Sequence, residues 1–133
     1  MAKTVLIVDD MAFVRRTLRE ILVEGGYQVV GEAADGRQAI ELYTTLKPDV
    51  VTMDVVMPEL SGLDATRLIL KSHASAKIVV ISALGQENLV MEAVNAGARD
   101  YILKPFTAAD VLKAVAKALA DPAQQFKSPT AGA

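Results

Sequence analysis

The chain's 133 residues suffice for one domain of ordinary size. At 52% hydrophobic and 23% charged residues it has globular composition. Its 14 basic and 16 acidic side chains leave a net charge of −2, which argues against a large nucleic-acid footprint or adhesion to anionic lipid. With no cysteine, disulfides, thiol catalysis and Cys-type zinc sites are excluded. The single His73 excludes a His-rich metal cage, and a Ser/His/Asp triad would depend on that one residue. No apolar run approaches the ~20 residues a bilayer span needs. The N-terminal apolar stretch stops at Val8 against two aspartates, short of the ~7 residues a signal peptide's core requires. A cytoplasmic protein is expected.

In chain order, the first apolar run is Val5–Val8, followed by a helical stripe of Val14, Leu18, Ile21 and Leu22 that ends before Gly25-Gly26. Val29-Val30 with their flanks form a second run, and Ala39, Ile40, Tyr43 and Leu46 a second stripe closed by Pro48. Val50–Met53 form the third run. Ser61 with Asp64 three residues later then opens a helix carrying Leu63 and Leu70 on one face. Ile78–Ile81 form the fourth run, before a helix over 86–96 with Leu89, Ala93 and Val94 at helical spacing and Gly97 at its end. Tyr101–Leu103 form the fifth run; Thr107 and Asp110 open a last helix with Val111, Leu112, Val115 and Leu119. Continuous apolar strands alternating with amphipathic helices predict right-handed βαβ crossovers and an open, doubly wound parallel sheet. One domain over residues 1–120 is expected. Residues 121–133, with Phe126 their only large apolar group, read as a flexible tail.

In such sheets, sites lie beyond the carboxyl ends of the strands. The first run ends in Asp9-Asp10, the third in Asp54, the fourth in Ser82-Ala83 and the fifth in Lys104-Pro105. Each alone has an ordinary reading as a helix cap, a turn former or a solvated lysine; the four together do not. Carboxylates ~5 Å apart at an effective dielectric of ~20 repel by about 3 kcal/mol per pair. A hard divalent cation relieves that repulsion, and Mg²⁺ typically takes one or two carboxylates with waters and ligand oxygens. A lysine and a serine hydroxyl beside it suit a phosphoryl group, so the equipment is that of phosphoryl transfer.

The sequences Val-Leu-Ile-Val-Asp9-Asp10, Val-Thr-Met-Asp54-Val-Val-Met-Pro58-Glu-Leu-Ser-Gly62, Val-Ile81-Ser82-Ala83 and Tyr101-Ile-Leu-Lys104-Pro105-Phe106 resemble those of two-component receiver domains. The resemblance covers about residues 3–120 and is strongest to single-domain chemotaxis response regulators. It implies a flavodoxin-like (βα)5 fold with strand order 2-1-3-4-5. It further implies that Asp54 accepts a phosphoryl group from a histidine kinase, and that Asp10 and Asp54 ligate Mg²⁺ directly. Asp9 would act through water, and the backbone carbonyl of Val56 would be another ligand. Lys104 and Ala83 would contact the phosphoryl oxygens. Ser82 would move to hydrogen-bond the phosphate, with Tyr101 following from an outward to an inward rotamer. The Lys104-Pro105 bond would be cis, aiming the lysine into the pocket. The protein would be no enzyme beyond assisting its own phosphotransfer and dephosphorylation.

Two positions depart from a hydrolysis-promoting pattern: Val56 and Leu84 flank the expected pocket, and neither can orient an attacking water. The output face in this family is built from the fourth helix, fifth strand and fifth helix, here residues 86–96, Arg99, Tyr101 and 107–120. A flagellar motor switch protein or a phosphatase would dock there. Val90, Met91 and Val94 leave that helix apolar on more than one side; a Met on a helix is more often core filler, but excess apolar surface also suits partner docking. Arg15, Arg16 and Arg19 are expected on a solvated face with Glu20 and Glu24, with kinase contact as the family-based alternative. His73 is expected exposed and without a partner. A monomer without nucleic-acid or membrane contacts is expected.

Among rivals, a haloacid-dehalogenase-type phosphatase needs a second Asp two residues after its nucleophile, where this chain has Val56. A flavodoxin needs a phosphate-binding loop where Asp9-Asp10 would repel the flavin phosphate. A receiver excised from a transcription factor or methylesterase, a stand-alone receiver in another phosphorelay, and a receiver that binds without phosphorylation stay open as alternatives.

Overall fold

The computed structural model describes residues 2–120; the tail expected over 121–133 lies outside them. Strands and helices alternate as β1 (Thr4–Val8), α1 (Ala12–Glu24), β2 (Gln28–Ala33), α2 (Gly36–Leu46), β3 (Val50–Met53), α3 (Gly62–Ser72), β4 (Ile78–Ser82), α4 (Glu87–Ala96), β5 (Asp100–Leu103) and α5 (Ala108–Ala120). All strand pairs are parallel and the sheet order is β2-β1-β3-β4-β5. This is the flavodoxin-like arrangement that the resemblance implied.

Pleating explains why the strands are apolar throughout. Along β1, Val5 and Ile7 point to one face, where Leu18 and Leu22 of α1 and Val111 and Val115 of α5 pack with Val50 and Val79. Leu6 and Val8 point to the other, against Ala39 and Tyr43 of α2 and Ala65 and Ile69 of α3. Both faces are covered, so no strand position of β1 or β3 beyond Thr4 reaches solvent. Each buried Leu or Ile contributes about 1.5–3 kcal/mol. A smaller cluster seats Ala93 and Leu89 of α4 on Val80 and Ala98.

Helix ends follow local chemistry. Ser61 accepts from the Asp64 amide (3.2 Å), but the Asp64 carboxylate turns to Arg67 (2.7 Å), leaving the expected capping box half made. At α5 the box is complete: Thr107 Oγ1 accepts from Asp110 N–H, and the Asp110 carboxylate accepts from Thr107 N–H. The α2 stripe is buried at Ala39 and Tyr43, but Leu46 at its last turn is exposed. His73 departs from expectation. At the C-cap of α3 it is half-buried, its ring 4.9 Å from that of Tyr43.

At the opposite pole from the expected site, the Asp49 carboxylate accepts from both the N–H (2.7 Å) and the hydroxyl (3.1 Å) of Thr4, joining β3's entry to β1's. The Thr4 amide, outweighing partial burial and helped by the charges of Lys3 and Lys77, holds the Asp49 pKa below its usual value. A lowered folded-state pKa means the contribution is complete above pH 3.8 and disappears as pH falls through the folded value. Replacing Asp49 with Ala is expected to cost roughly 1 kcal/mol in denaturant unfolding at pH 7. The gap from wild type should close as pH falls well below 3.8.

Candidate functional site

The site is built one residue beyond the strands. The amide of Asp9 still bonds the Ala33 carbonyl of β2 (3.0 Å), that of Asp54 the Val8 carbonyl of β1 (2.9 Å), and that of Lys104 the Ser82 carbonyl of β4 (2.9 Å). The ladder therefore positions each functional backbone before any side chain contributes. Carboxylate oxygens of Asp9, Asp10 and Asp54 come within 4.8 Å of one another. Asp9 and Asp54 are buried, while Asp10 is exposed. Lys104 Nζ donates to Asp9 Oδ2 at 2.9 Å and lies 3.5 Å from Asp54 Oδ1. The Lys104–Pro105 peptide is cis.

Electrostatics divide the acids. Burial, followed by the Asp9 charge, pushes the Asp54 pKa up to about 6, against the opposing pull of Lys104 and of the Val55 amide that bonds its Oδ1 (2.9 Å). Burial alone would lower the Lys104 pKa, but its hydrogen bond to Asp9 and the Asp54 charge outweigh this and raise it, so the ammonium persists. One cation therefore serves two buried carboxylates, and a third stands at the mouth. The donor set is all oxygen, clustered and under-compensated, which fits a hard divalent cation.

Ser82 and Tyr101 meet on a single residue. The Ser82 hydroxyl accepts from the Leu84 amide at 3.0 Å, and the Tyr101 hydroxyl donates to the Leu84 carbonyl. Ser82 is buried, Tyr101 and Leu84 half-buried, and Ala83 exposed. The Val56 side chain is 62% exposed. Around the acids, Met11 and Phe13 also present apolar surface to solvent.

Two participants escaped the sequence reading. Arg15 and Arg19 do not lie on a purely solvated face: both bond Glu32 of β2, Arg15 from Nε at 3.0 Å and Arg19 from Nη2 at 2.7 Å. Arg15 Nη1 also donates to the backbone carbonyl of Asp9 at 2.7 Å. Arg16 and Arg19 are exposed as expected, while Arg15 is half-buried. The second is Gly62, the first residue of α3. A Cβ there would collide with the carbonyl oxygen of Asp54, so the helix can approach the Asp54 backbone only without a side chain. The sole sequence signal was a glycine directly after a helix-capping serine, in the loop that follows Asp54.

A family model of the response regulator receiver domain matches residues 5–116. The chain belongs to this family. Among curated relatives, the receiver is 53% identical over 117 residues to the chemotaxis protein CheY of Thermotoga maritima, covering 88% of this chain and 98% of that one. It is 49% identical over 119 residues to CheY of Bacillus subtilis, covering 90% and 99%. Among solved structures it resembles the crystal structure of a CheX–CheY–BeF3–Mg²⁺ complex from Borrelia burgdorferi, with a TM-score of 0.87 and 35% identity over 90% of each chain. The receiver is a phosphorylation-activated signalling switch, not an enzyme acting on a separate substrate. Receiver domains bind Mg²⁺ at an acidic pocket, and Asp9, Asp10 and Asp54 form such a cluster here. Among the described residues, no helix is long and apolar enough to cross a membrane.

Because Asp54 binds its proton more tightly folded than unfolded, its ionisation destabilises the metal-free fold as pH rises from 3.8 through about 6. Metal-free Asp54→Asn is expected to be more stable than wild type at pH 7, on the order of 2 kcal/mol, with the advantage fading toward pH 4. Carboxyl-carbon NMR should show Asp54 titrating near pH 6. Gly62→Ala is expected to destabilise by about 2 kcal/mol or more, read by thermal unfolding, and to shift the Asp54 carbonyl resonance.

Proposed function

We propose that this receiver is a switch in which Asp54 is the phosphoacceptor, acting in chemotaxis with a histidine kinase upstream. The carrying observation is a buried Asp54 carboxylate facing Lys104 at 3.5 Å with two further carboxylates alongside. At neutral pH most Asp54 is ionised despite its raised pKa, so it is ready as a nucleophile. Its oxygen forms the bond to phosphorus as the phosphorus–nitrogen bond of the donor's phosphohistidine breaks, and the imidazole nitrogen keeps the electron pair. Lys104 neutralises charge on the phosphoryl oxygens, with the Ala83 amide as a further contact.

Asp10, Asp54 and the Val56 carbonyl would hold Mg²⁺, with Asp9 acting through water. When bound, the ion screens the carboxylates from one another and from the incoming phosphoryl group. Val56 and Leu84 bring no polar side chain to orient water, so loss of the phosphoryl group proceeds without their help.

The output follows from Leu84. A phosphoryl oxygen draws the Ser82 hydroxyl away from the Leu84 amide, and the loop that Tyr101 grips moves with it. The face of α4, β5 and α5, where Met91 and Leu103 are exposed, then changes its affinity for a flagellar motor switch protein or a phosphatase. The high identity to two CheY proteins over nearly their full lengths supports chemotaxis, and the cytoplasm is the matching location.

Incubation with Mg²⁺ and a small phosphoryl donor is expected to label the wild type and not Asp54→Ala. Equal labelling of both, or no labelling of the wild type even with its cognate kinase, overturns the assignment. The labelling rate should fall about tenfold per pH unit well below pH 6, as the nucleophile protonates.

A further inference from the structure

Asp9 is the most constrained residue of the acidic cluster. Its amide is bonded to Ala33, its Oδ1 accepts from the Met11 amide at 2.9 Å, and its Oδ2 accepts from Lys104. Its carbonyl oxygen would be free to swing with the Asp9–Asp10 peptide were it not held by Arg15 Nη1 at 2.7 Å. That guanidinium is itself fixed, because its Nε bonds Glu32 Oε1 at 3.0 Å while Arg19 takes Glu32 Oε2. The Arg15 side chain is 19% exposed and that of Glu32 29%, so both bonds are partly shielded from water, and a directed charge-assisted bond is strengthened there.

The connected path runs from β2 through Glu32 to Arg15, and from Arg15 to the peptide joining the two adjacent acids. Rotation of that peptide would carry the exposed Asp10 away from Asp54. The planar fork of arginine can bridge a carboxylate and a carbonyl in fixed directions, which an ammonium cannot.

We infer that Arg15 is a positioning residue for the divalent-cation pocket, orienting the Asp9–Asp10 peptide from an anchor on Glu32. The inference rests on the phosphoacceptor reading above. Outer groups that orient metal ligands typically affect metal affinity by 10–100-fold, and the Arg15 contact, one bond removed from the carboxylates, belongs at the low end of that range.

The test measures Mg²⁺ affinity by calorimetry, together with hydrogen exchange of the Met11 amide in metal-free protein, for the wild type and for Arg15→Ala, Arg15→Lys and Arg19→Ala. Arg19 shares Glu32 but does not touch Asp9, so its loss reports only the stability carried by the ion pair. Arg15→Ala and Arg15→Lys are each expected to bind Mg²⁺ about tenfold more weakly and to exchange Met11 faster. Arg19→Ala should stay within twofold of wild type on both readings. Arg15→Lys keeps the charge and the aliphatic stem, so it carries the test if Arg15→Ala fails to fold. Mg²⁺ affinity in Arg15→Lys within twofold of Arg19→Ala overturns the inference. A wild type that binds no Mg²⁺ overturns both the inference and the reading beneath it, whereas failure of the Arg15 variants alone leaves the phosphoacceptor reading standing.

Discussion

The mutual repulsion of carboxylates at one sheet edge is the constraint around which this molecule is organised. Asp9 and Asp54 are buried, and among the described residues the only ammonium within reach of both belongs to Lys104. An ion pair out of water does not by itself stabilise a fold, since the desolvation of its partners is comparable to the attraction. Its presence makes sense as a poised charge imbalance: Lys104 faces three clustered acids, and burial first, then the Asp9 charge, raise the Asp54 pKa against its pull. The flanking structure absorbs the strain of the arrangement through ladder hydrogen bonds at Asp9, Asp54 and Lys104.

The fold was legible because its causes are periodic. Each strand run, from Val5–Val8 to Tyr101–Leu103, lies within an observed strand, and the stripes on α1 and α5 face the core. The cluster of strand-end residues was legible too, because a parallel sheet brings all carboxyl ends to one edge. What escaped had no period. The bond from Arg15 to the Asp9 carbonyl depends on where one long side chain folds back, and its partner Glu32 is remote in sequence. His73 was read as solvent-exposed because nothing near it in sequence names Tyr43, whose ring it meets from another helix. Gly62 matters for an approach distance to backbone, which residue type alone does not encode.

The proposed switch residues are linked with similar economy. Ser82 and Tyr101 occupy adjacent strands, and the loop residue Leu84 accepts the hydroxyl of one while its amide bonds the other. A displacement at the serine is therefore felt by the peptide unit that the tyrosine grips, without a relay of packed side chains between them. The loop needs only two arrangements for a local charge event to bias a distant face.

Placing Asp9, Asp54 and Lys104 one residue past their strands has a geometric corollary. Neighbouring strands lie about 4.8 Å apart, and β3 and β5 are separated by β4. The acid on β3 and the cation on β5 thus start roughly 10 Å apart at their backbones. Only a long, unbranched side chain can close that gap while keeping a compact charge at its tip, which selects lysine over histidine before any chemistry is considered. The interstrand pitch, a property of the peptide bond alone, sets the gauge of the pocket.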